Sequence, residues 1–264
     1  MSAPWIHVAA LGEPGAAVAL PTAATRHATA SRRLRDGDEV VLFDGSGRTA
    51  RAFLIDAGRA ARIESMVSVD AGAPLGRERS ITIAAAIPKG DRAATMIDML
   101  VQVGIGAFLP LRCRRSVVTL SEAARERLGR VAIEAAKQSR RAWLPPILEA
   151  RTPLEAARSA AARGAVALLA DPDGVELRSL VAPSVGERRS LRGDAAEGSG
   201  AEADAAISLE TPEILALIGP EGGFDDEERR EMASAGARAV RLADGVLRVE
   251  TAAVAMACAL RALR

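Results

Sequence analysis

"LIGPEGGFDDEE", Leu217–Glu228, decides how this chain is read. A short apolar run meets a Gly-Pro-Glu-Gly-Gly turn, and four acidic residues then open a helical pattern. Glycine turns between a strand and a helix often cradle phosphate, because free N–H groups at a helix start attract anions. This turn has neither the lysine nor the hydroxyl of a Walker loop, and Pro220 and Glu221 break the dinucleotide spacing. Asp225 and Asp226 can satisfy the helix's own donors, while Glu227 and Glu228 oppose a phosphate. The stretch therefore predicts close backbone approach to a ligand without phosphate. A plain strand–helix turn is the alternative.

On both sides of the turn, strand and helix patterns alternate. "SITIAAAI" reads as a buried strand, "RAATMIDMLVQVG" as a helix stopped by Gly104, and "GAFLPL" as a strand. "EAARERLGRVAIEAAKQSRRAW" reads as a long helix ended by Pro145-Pro146. "LEAARSAAARG" is helical, and "AVALLA", "EILALIG" and "AVRLA" are strands. "DDEERREMASAG" is a helix closed by Gly236. A last helix, "ETAAVAMACALRAL", is apolar nearly all round, which predicts burial against another element or subunit. Such alternation argues an α/β class with a parallel sheet. Residues 184–206 are polar and glycine-dotted, with too little apolar surface to offset ordering, and are expected to form a flexible insertion.

The first 73 residues differ. "DEVVLFDG" and "SGRTARAFLIDAG" are two strands about the Asp44–Gly47 turn, and "AARIESMVSVD" continues the pattern. Short strands with glycine punctuation suggest a small β-barrel. Asp70–Ser80 reads as a linker. The domains are thus expected at 1–73 and 74–264.

Composition narrows the class. The N-terminus lacks a secretion-signal layout, and no apolar stretch is long enough to cross a bilayer, so a cytoplasmic protein is expected. Two cysteines and two histidines fit no metal motif, and no metal is expected. The net charge of +1 hides an asymmetry. Arg112–Arg141 carries nine basic residues against three acidic ones, a local field able to attract polyanions. Arginine replacing lysine throughout is the plainer reading, since only Lys89 and Lys137 are lysines.

A second segment, "LADGVLRVETAAVAMACAL" (Leu242–Leu260), places Arg248, Glu250 and Thr251 at the mouth of the last helix. Ligands of α/β proteins sit beyond the carboxyl ends of strands, so these polar residues are site candidates, with a helix cap as the alternative. The phosphate-free turn, for its part, suits an adenosine carrying a sulfonium rather than a pyrophosphate: S-adenosyl-L-methionine.

"LIGPEGGF" followed about twenty residues later by "LRVETAA" resembles the RsmE family, the bacterial 16S ribosomal RNA uridine-N3 methyltransferases of the SPOUT class. The resemblance extends over nearly the whole chain. It takes in Arg26-His27, Arg33 ahead of Gly37-Asp38, "LFDGSG", Lys89, then Pro110, Arg115 and Ser116, and Gln138, Arg141 and Pro145. Met99 and Gln102 stand where the family usually has a lysine and a glutamate. Arg140 and Ala243 each replace a customary glycine.

The resemblance implies a C-terminal SPOUT trefoil-knot domain with a parallel sheet and an N-terminal PUA-like β-barrel that helps hold RNA. It also implies a homodimer acting on 16S rRNA or the 30S subunit, without a membrane. Its methyl donor would contact Leu169, Leu217, Ile218, Gly219, Glu221, Gly222, Gly223, Leu242, Val246, Leu247 and Thr251. Arg248 is the candidate to stabilise charge on the uracil oxygens. Glu221 or Glu250 would accept the N3 proton, or else orient Arg248. Arg26, Arg33, Lys89, Arg115 and Arg141 would contact RNA. Two rivals remain: a SPOUT ribose 2′-O methyltransferase, which typically ends in an Asn-x-Ser segment, and a non-catalytic RNA-binding assembly factor.

Overall fold

The computed structural model describes residues 3–26, 29, 33–68, 80–180 and 213–262. The expected insertion at 184–206, most of the expected linker and His27 lie outside the described residues. The described chain gathers into two compact units. One draws on residues within 1–76, 97–106 and 121–146, and the other on residues within 77–96, 107–120 and 147–264.

The first unit is built on β1 (Trp5–His7), β2 (Ala17–Ala19), β3 (Glu39–Phe43), β4 (Arg48–Ile55) and β5 (Ala60–Ser68), with a short helix α1 (Thr22–Arg26). The strands form one sheet in the order β1-β3-β4-β5-β2. All pairings are antiparallel except β1 with β3. Alternation places Val40 and Leu42 of β3, then Ala50, Ala52 and Leu54 of β4, on a shared inner face with Ile6 and Ile63. A bulge between Arg51 and Ala52 adjusts the β4–β5 register.

The turn between β3 and β4 is self-contained. Asp44 accepts from Ser46 N at 3.0 Å and pairs with Arg48 at 2.6 Å. Gly45 has φ 79°, and a Cβ there would lie 2.8 Å from Leu144 Cδ1. Leu144 N donates to Gly45 O, and Gly47 N to Ala142 O, so the turn is stitched to the chain that leaves α3 (Glu122–Ser139).

That helix ends earlier than the two prolines predict. Arg140 takes the left-handed conformation at φ 55° and closes the helix through its N–H to Ala136 O. Glycine suits that backbone better than any side chain does, which gives a physical reason for the glycine that the resemblance leads one to expect here. Arg141 then donates to the carbonyls of Gln102 (2.8 Å) and Val103 (3.1 Å), the last turn of α2 (Arg92–Val103). Gly104, at φ 87°, makes room: a Cβ there would lie 2.3 Å from the Arg141 guanidinium.

The second unit holds β6 (Ser80–Ala86), β7 (Ala107–Leu111), β8 (Val166–Glu176), β9 (Glu213–Ile218) and β10 (Arg238–Arg241). They form a fully parallel sheet in the order β10-β8-β9-β6-β7. Its helices are α4 (Pro153–Ala162), α5 (Asp226–Ser234) and α6 (Val249–Ala262). Burial on both faces explains the unbroken apolar run of β9. α4 and α5 each begin in a capping box, from Thr152 with Glu155 and from Asp225 with Glu228. α6 buries Val249, Ala252, Ala253, Met256, Ala257 and Leu260 and exposes Thr251 and Cys258, so it is two-faced rather than enclosed all round.

β8 runs past the hexapeptide expected for it. Its register with β10 jumps: Ala239 faces Leu169, but the next residue, Val240, faces Val175. Residues 170–174 bow out of the pairing and rejoin at Gly174, where a Cβ would meet Val240 N at 2.5 Å. In a parallel sheet all strands end on one edge, so this excursion stands beside the turns that follow β9 and β10.

Candidate active site

The ends of those three strands enclose a cavity of about 290 Å³ in the second unit. It lies near the lower bound for small-molecule pockets. β8 contributes Ala170, Asp171 and Pro172, the turn after β9 contributes Ile218–Phe224, and the loop after β10 contributes Leu242, Ala243 and Gly245–Leu247. Arg229 of α5 and Val249 and Ala252 of α6 complete the wall.

The glycine turn is held tightly. Gly223 N donates to Pro220 O at 2.8 Å, and Gly223 has φ 67°. A Cβ on Gly219 would meet the Phe224 ring at 3.1 Å and Phe224 N at 3.2 Å. From the loop after β7, Arg115 Nη1 donates to Gly222 O at 2.7 Å. The acidic block behind the turn is occupied structurally. Asp225 Oδ1 accepts from Glu228 N at 2.7 Å, and Glu228 Oε2 accepts from Asp225 N at 3.0 Å. Glu228 Oε1 also accepts from Arg114 N at 2.8 Å. The Arg114 guanidinium bridges Asp225 and Glu227. Glu227 and Glu228 therefore do not line the cavity as phosphate repellents. The negative groups that do line it are Asp171 and Glu221.

Asp171 is 7% exposed; its Oδ1 accepts from Asp173 N at 2.9 Å, and its Oδ2 pairs with Arg229 Nη1 at 3.3 Å. Arg229 Nε is buried without a hydrogen-bond partner, a donor left free at the cavity wall. Glu221 Oε1 accepts from Arg92 Nη2 at 3.0 Å. Arg92 Nη1 lies 3.8 Å from Glu250 Oε2, too far for a hydrogen bond but within ion-pair range. Burial pushes the Cys113 thiol up to about 12, against a smaller opposing hydrogen bond with Ser116, which removes it as a nucleophile at neutral pH. Among the described residues no His, Cys, Asp or Glu cluster is arranged to hold a metal ion.

The structure brings Ile218, Gly219, Glu221, Gly222, Gly223, Leu242, Val246 and Leu247 to the cavity. Leu169 and Leu217 instead sit in the apolar core, and Thr251 is exposed on α6. Glu250 is buried beside the cavity-lining Val249, and Arg248 is exposed with no ion pair among the described residues. Of the RNA candidates, Arg26, Arg33 and Lys89 are exposed. Arg115 and Arg141 are engaged with backbone carbonyls. Sequence reading missed Asp171, Arg229 and Arg92. The "DPDG" turn after "AVALLA" is the signal for Asp171; the two arginines carry none.

Two sequence families match. Residues 76–261 match the RNA methyltransferase domain, and residues 20–61 match the RNA methyltransferase PUA domain. The Mycobacterium tuberculosis protein named ribosomal RNA small subunit methyltransferase E is 30% identical, across 96% of this chain and 89% of its own length. Its Synechocystis namesake is 31% identical, across 90% of this chain and 70% of that protein. The crystal structure of ribosomal RNA small subunit methyltransferase E from Neisseria gonorrhoeae, bound to S-adenosyl methionine, superposes with a TM-score of 0.76. It has 26% identity and covers 99% of this chain and 98% of its own. The architecture is accordingly the SPOUT α/β domain with a PUA-like β domain. On the match of its larger domain and its identity to these relatives, the chain belongs to the ribosomal RNA small subunit methyltransferase E family.

Proposed function

We propose that this protein methylates N3 of one uridine in 16S ribosomal RNA, taking the methyl group from S-adenosyl-L-methionine. The observation that carries the reading is the single cavity formed by the Gly219–Phe224 turn and the Leu242–Leu247 loop. The wall fits the donor chemically. Ile218, Leu242, Val246 and Leu247 offer apolar faces for an adenine, and the glycines allow close backbone approach. Asp171, Glu221 and the free Nε of Arg229 suit a charged amino-acid end. When bound, S-adenosyl-L-methionine supplies a methyl group activated on a sulfonium.

The chain's own residues handle the base. Uracil N3 carries a proton that titrates above neutrality, and each unit to be bridged costs about 1.4 kcal/mol. On this reading Arg248, exposed just before α6, holds negative charge on the uracil oxygens. A carboxylate of Glu221 or Glu250 takes the proton. Arg26, Arg33 and Lys89 contact RNA phosphates, while Arg115 and Arg141 have a guanidinium edge to offer beyond the carbonyls they already bind. Residues 1–73 serve as the RNA-holding module and 74–264 as the catalytic one. On this reading the active unit is a homodimer. The enzyme works on the 16S rRNA or the 30S subunit in the cytoplasm.

The test is a strain lacking its own uridine-N3 activity, complemented with this gene and followed by nucleoside mass spectrometry of 16S rRNA. N3-methyluridine restored at one position is the expected outcome. A ribose 2′-O-methyl product would replace the reading. Absence of any methyl group, with no donor binding by calorimetry, would leave an assembly factor.

A further inference from the structure

Arg92 stands at the first turn of α2 with each of its nitrogens placed. Its Nε donates to Lys89 O at 3.3 Å, its Nη2 to Glu221 Oε1 at 3.0 Å, and its Nη1 faces Glu250 Oε2 at 3.8 Å. The two carboxylates it joins are unlike. Glu221 lines the cavity, and its side chain is 42% exposed; Glu250 lies behind, at 11%, and its Oε2 has no hydrogen-bond partner. Among the described residues, Arg92 is the cation within 4.0 Å of Glu250. Arginine keeps its charge at any working pH, and its planar fork transmits orientation from one partner to the other.

We infer that Arg92 is the positioning residue of this site, with Glu250 as its buried anchor and Glu221 as the group that meets the substrate proton. The inference rests on the methyl-transfer reading above and assigns the two glutamates different work. In the step, the N3 proton passes to the Glu221 carboxylate and the electron pair of the N3–H bond stays on nitrogen; that pair bonds the methyl carbon as the carbon–sulfur bond breaks, and the electrons of the broken bond leave on sulfur as a thioether. Charge left by the proton spreads from N3 onto the two uracil oxygens, where Arg248 holds it on this reading, so a carboxylate is base enough if it is already aimed. Arg92 does the aiming. Glu250 stops the guanidinium from turning away, and Arg92 compensates a buried carboxylate that would otherwise be alone.

The test uses the full chain with an rRNA fragment containing the target uridine. It reads kcat and KM for RNA at saturating donor, donor Kd by calorimetry, and melting by circular dichroism. Glu221→Gln is expected to lower kcat about 100-fold at saturating donor, with KM for RNA held within threefold. Arg92→Met should lower kcat about 30-fold, Arg92→Lys should recover part of that, and Glu250→Gln should cost about tenfold. Because Arg92 acts through Glu221, adding Arg92→Met to Glu221→Gln should cost less than threefold more. A full 30-fold loss on the Glu221→Gln background, or Glu221→Gln activity within threefold of wild type, would overturn the assignment. Arg92→Lys keeps the comparison readable if Arg92→Met melts early. N3 methylation by the wild type with additive variants removes this inference alone; a wild-type product methylated on ribose removes the functional reading and this inference with it.

Discussion

Two glycine turns follow buried strands in this molecule, and they end differently. "LFDGSG" leaves β3 and "LIGPEGGF" leaves β9. In the first, Asp44 bends back onto Ser46 and Arg48 of its own hairpin, and the glycine backbone pairs with Ala142 and Leu144. Its acid finds partners within the turn and the strand beside it. In the second, the acid reaches 129 residues back to Arg92, the Gly222 carbonyl is held by Arg115, and an open cavity lies in front. Both turns are glycine-bearing, with two glycines in the first and three in the second. The destination of the carboxylate separates a structural turn from one that offers a site.

That contrast can be broken by substitution. Gly45→Val, at φ 79° and in contact with Leu144, is expected to cost about 3 kcal/mol in chemical denaturation. Donor affinity of the molecules that remain folded should be unchanged by calorimetry. Gly219→Ala should do the reverse. The Phe224 ring and backbone must give way by a few tenths of an ångström, weakening donor binding about tenfold, or about 1.4 kcal/mol. Its melting point should fall by only about 2–4 °C. If Gly45→Val destroyed donor binding in folded protein, or Gly219→Ala left it intact, the two turns would not differ as described. Arg114→Ala should be milder still. It removes solvent-screened ion pairs to Asp225 and Glu227, so denaturation should show the smallest loss of the three variants, while the backbone N–H of residue 114 still serves Glu228.

Acid sharpens the comparison by treating both turns alike. Burial raises the Asp44 carboxyl, but hydrogen bonds from Ser46 and Arg48 outweigh it, and the Asp225 carboxyl is lowered chiefly by the Glu228 N–H. A carboxylate lowered on folding stabilises above its unfolded value, about 3.9, and loses that contribution as pH falls through its folded value. The contribution of these two carboxylates to stability, measured by denaturation, should therefore be flat above about pH 5 and fall below about pH 4. Asp225→Asn should flatten part of that fall.

The strands and most helices were legible because apolar runs of strand length alternate with 3.6-period segments ended by glycine. The cavity's two loops were legible as glycine-bearing breaks after strands. What sequence reading blurred was the facing of neighbours. Leu217 and Ile218 look equivalent as apolar residues, but alternate positions of a strand face opposite ways, so Ile218 lines the cavity and Leu217 enters the core. Thr251 and Glu250 separate in the same way on a helix. Arg92 and Arg229 left no signal because their roles come from partners 129 and 58 residues away, which only the parallel register brings together. Arg140 ended α3 in a left-handed conformation that a bulky residue seldom takes, so the prolines beyond it misled.

The excursion of β8 between Leu169 and Val175 has a consequence for how this family can diversify. A strand that leaves its ladder and returns to it decouples local length from the alignment of everything outside it. Residues 170–174 can change in number or character while Leu169 and Val175 keep their appointments with Ala239 and Val240. One wall of the chamber is thereby open to revision at little cost to the scaffold, with the single proviso that a residue without a side chain stays at the point of return.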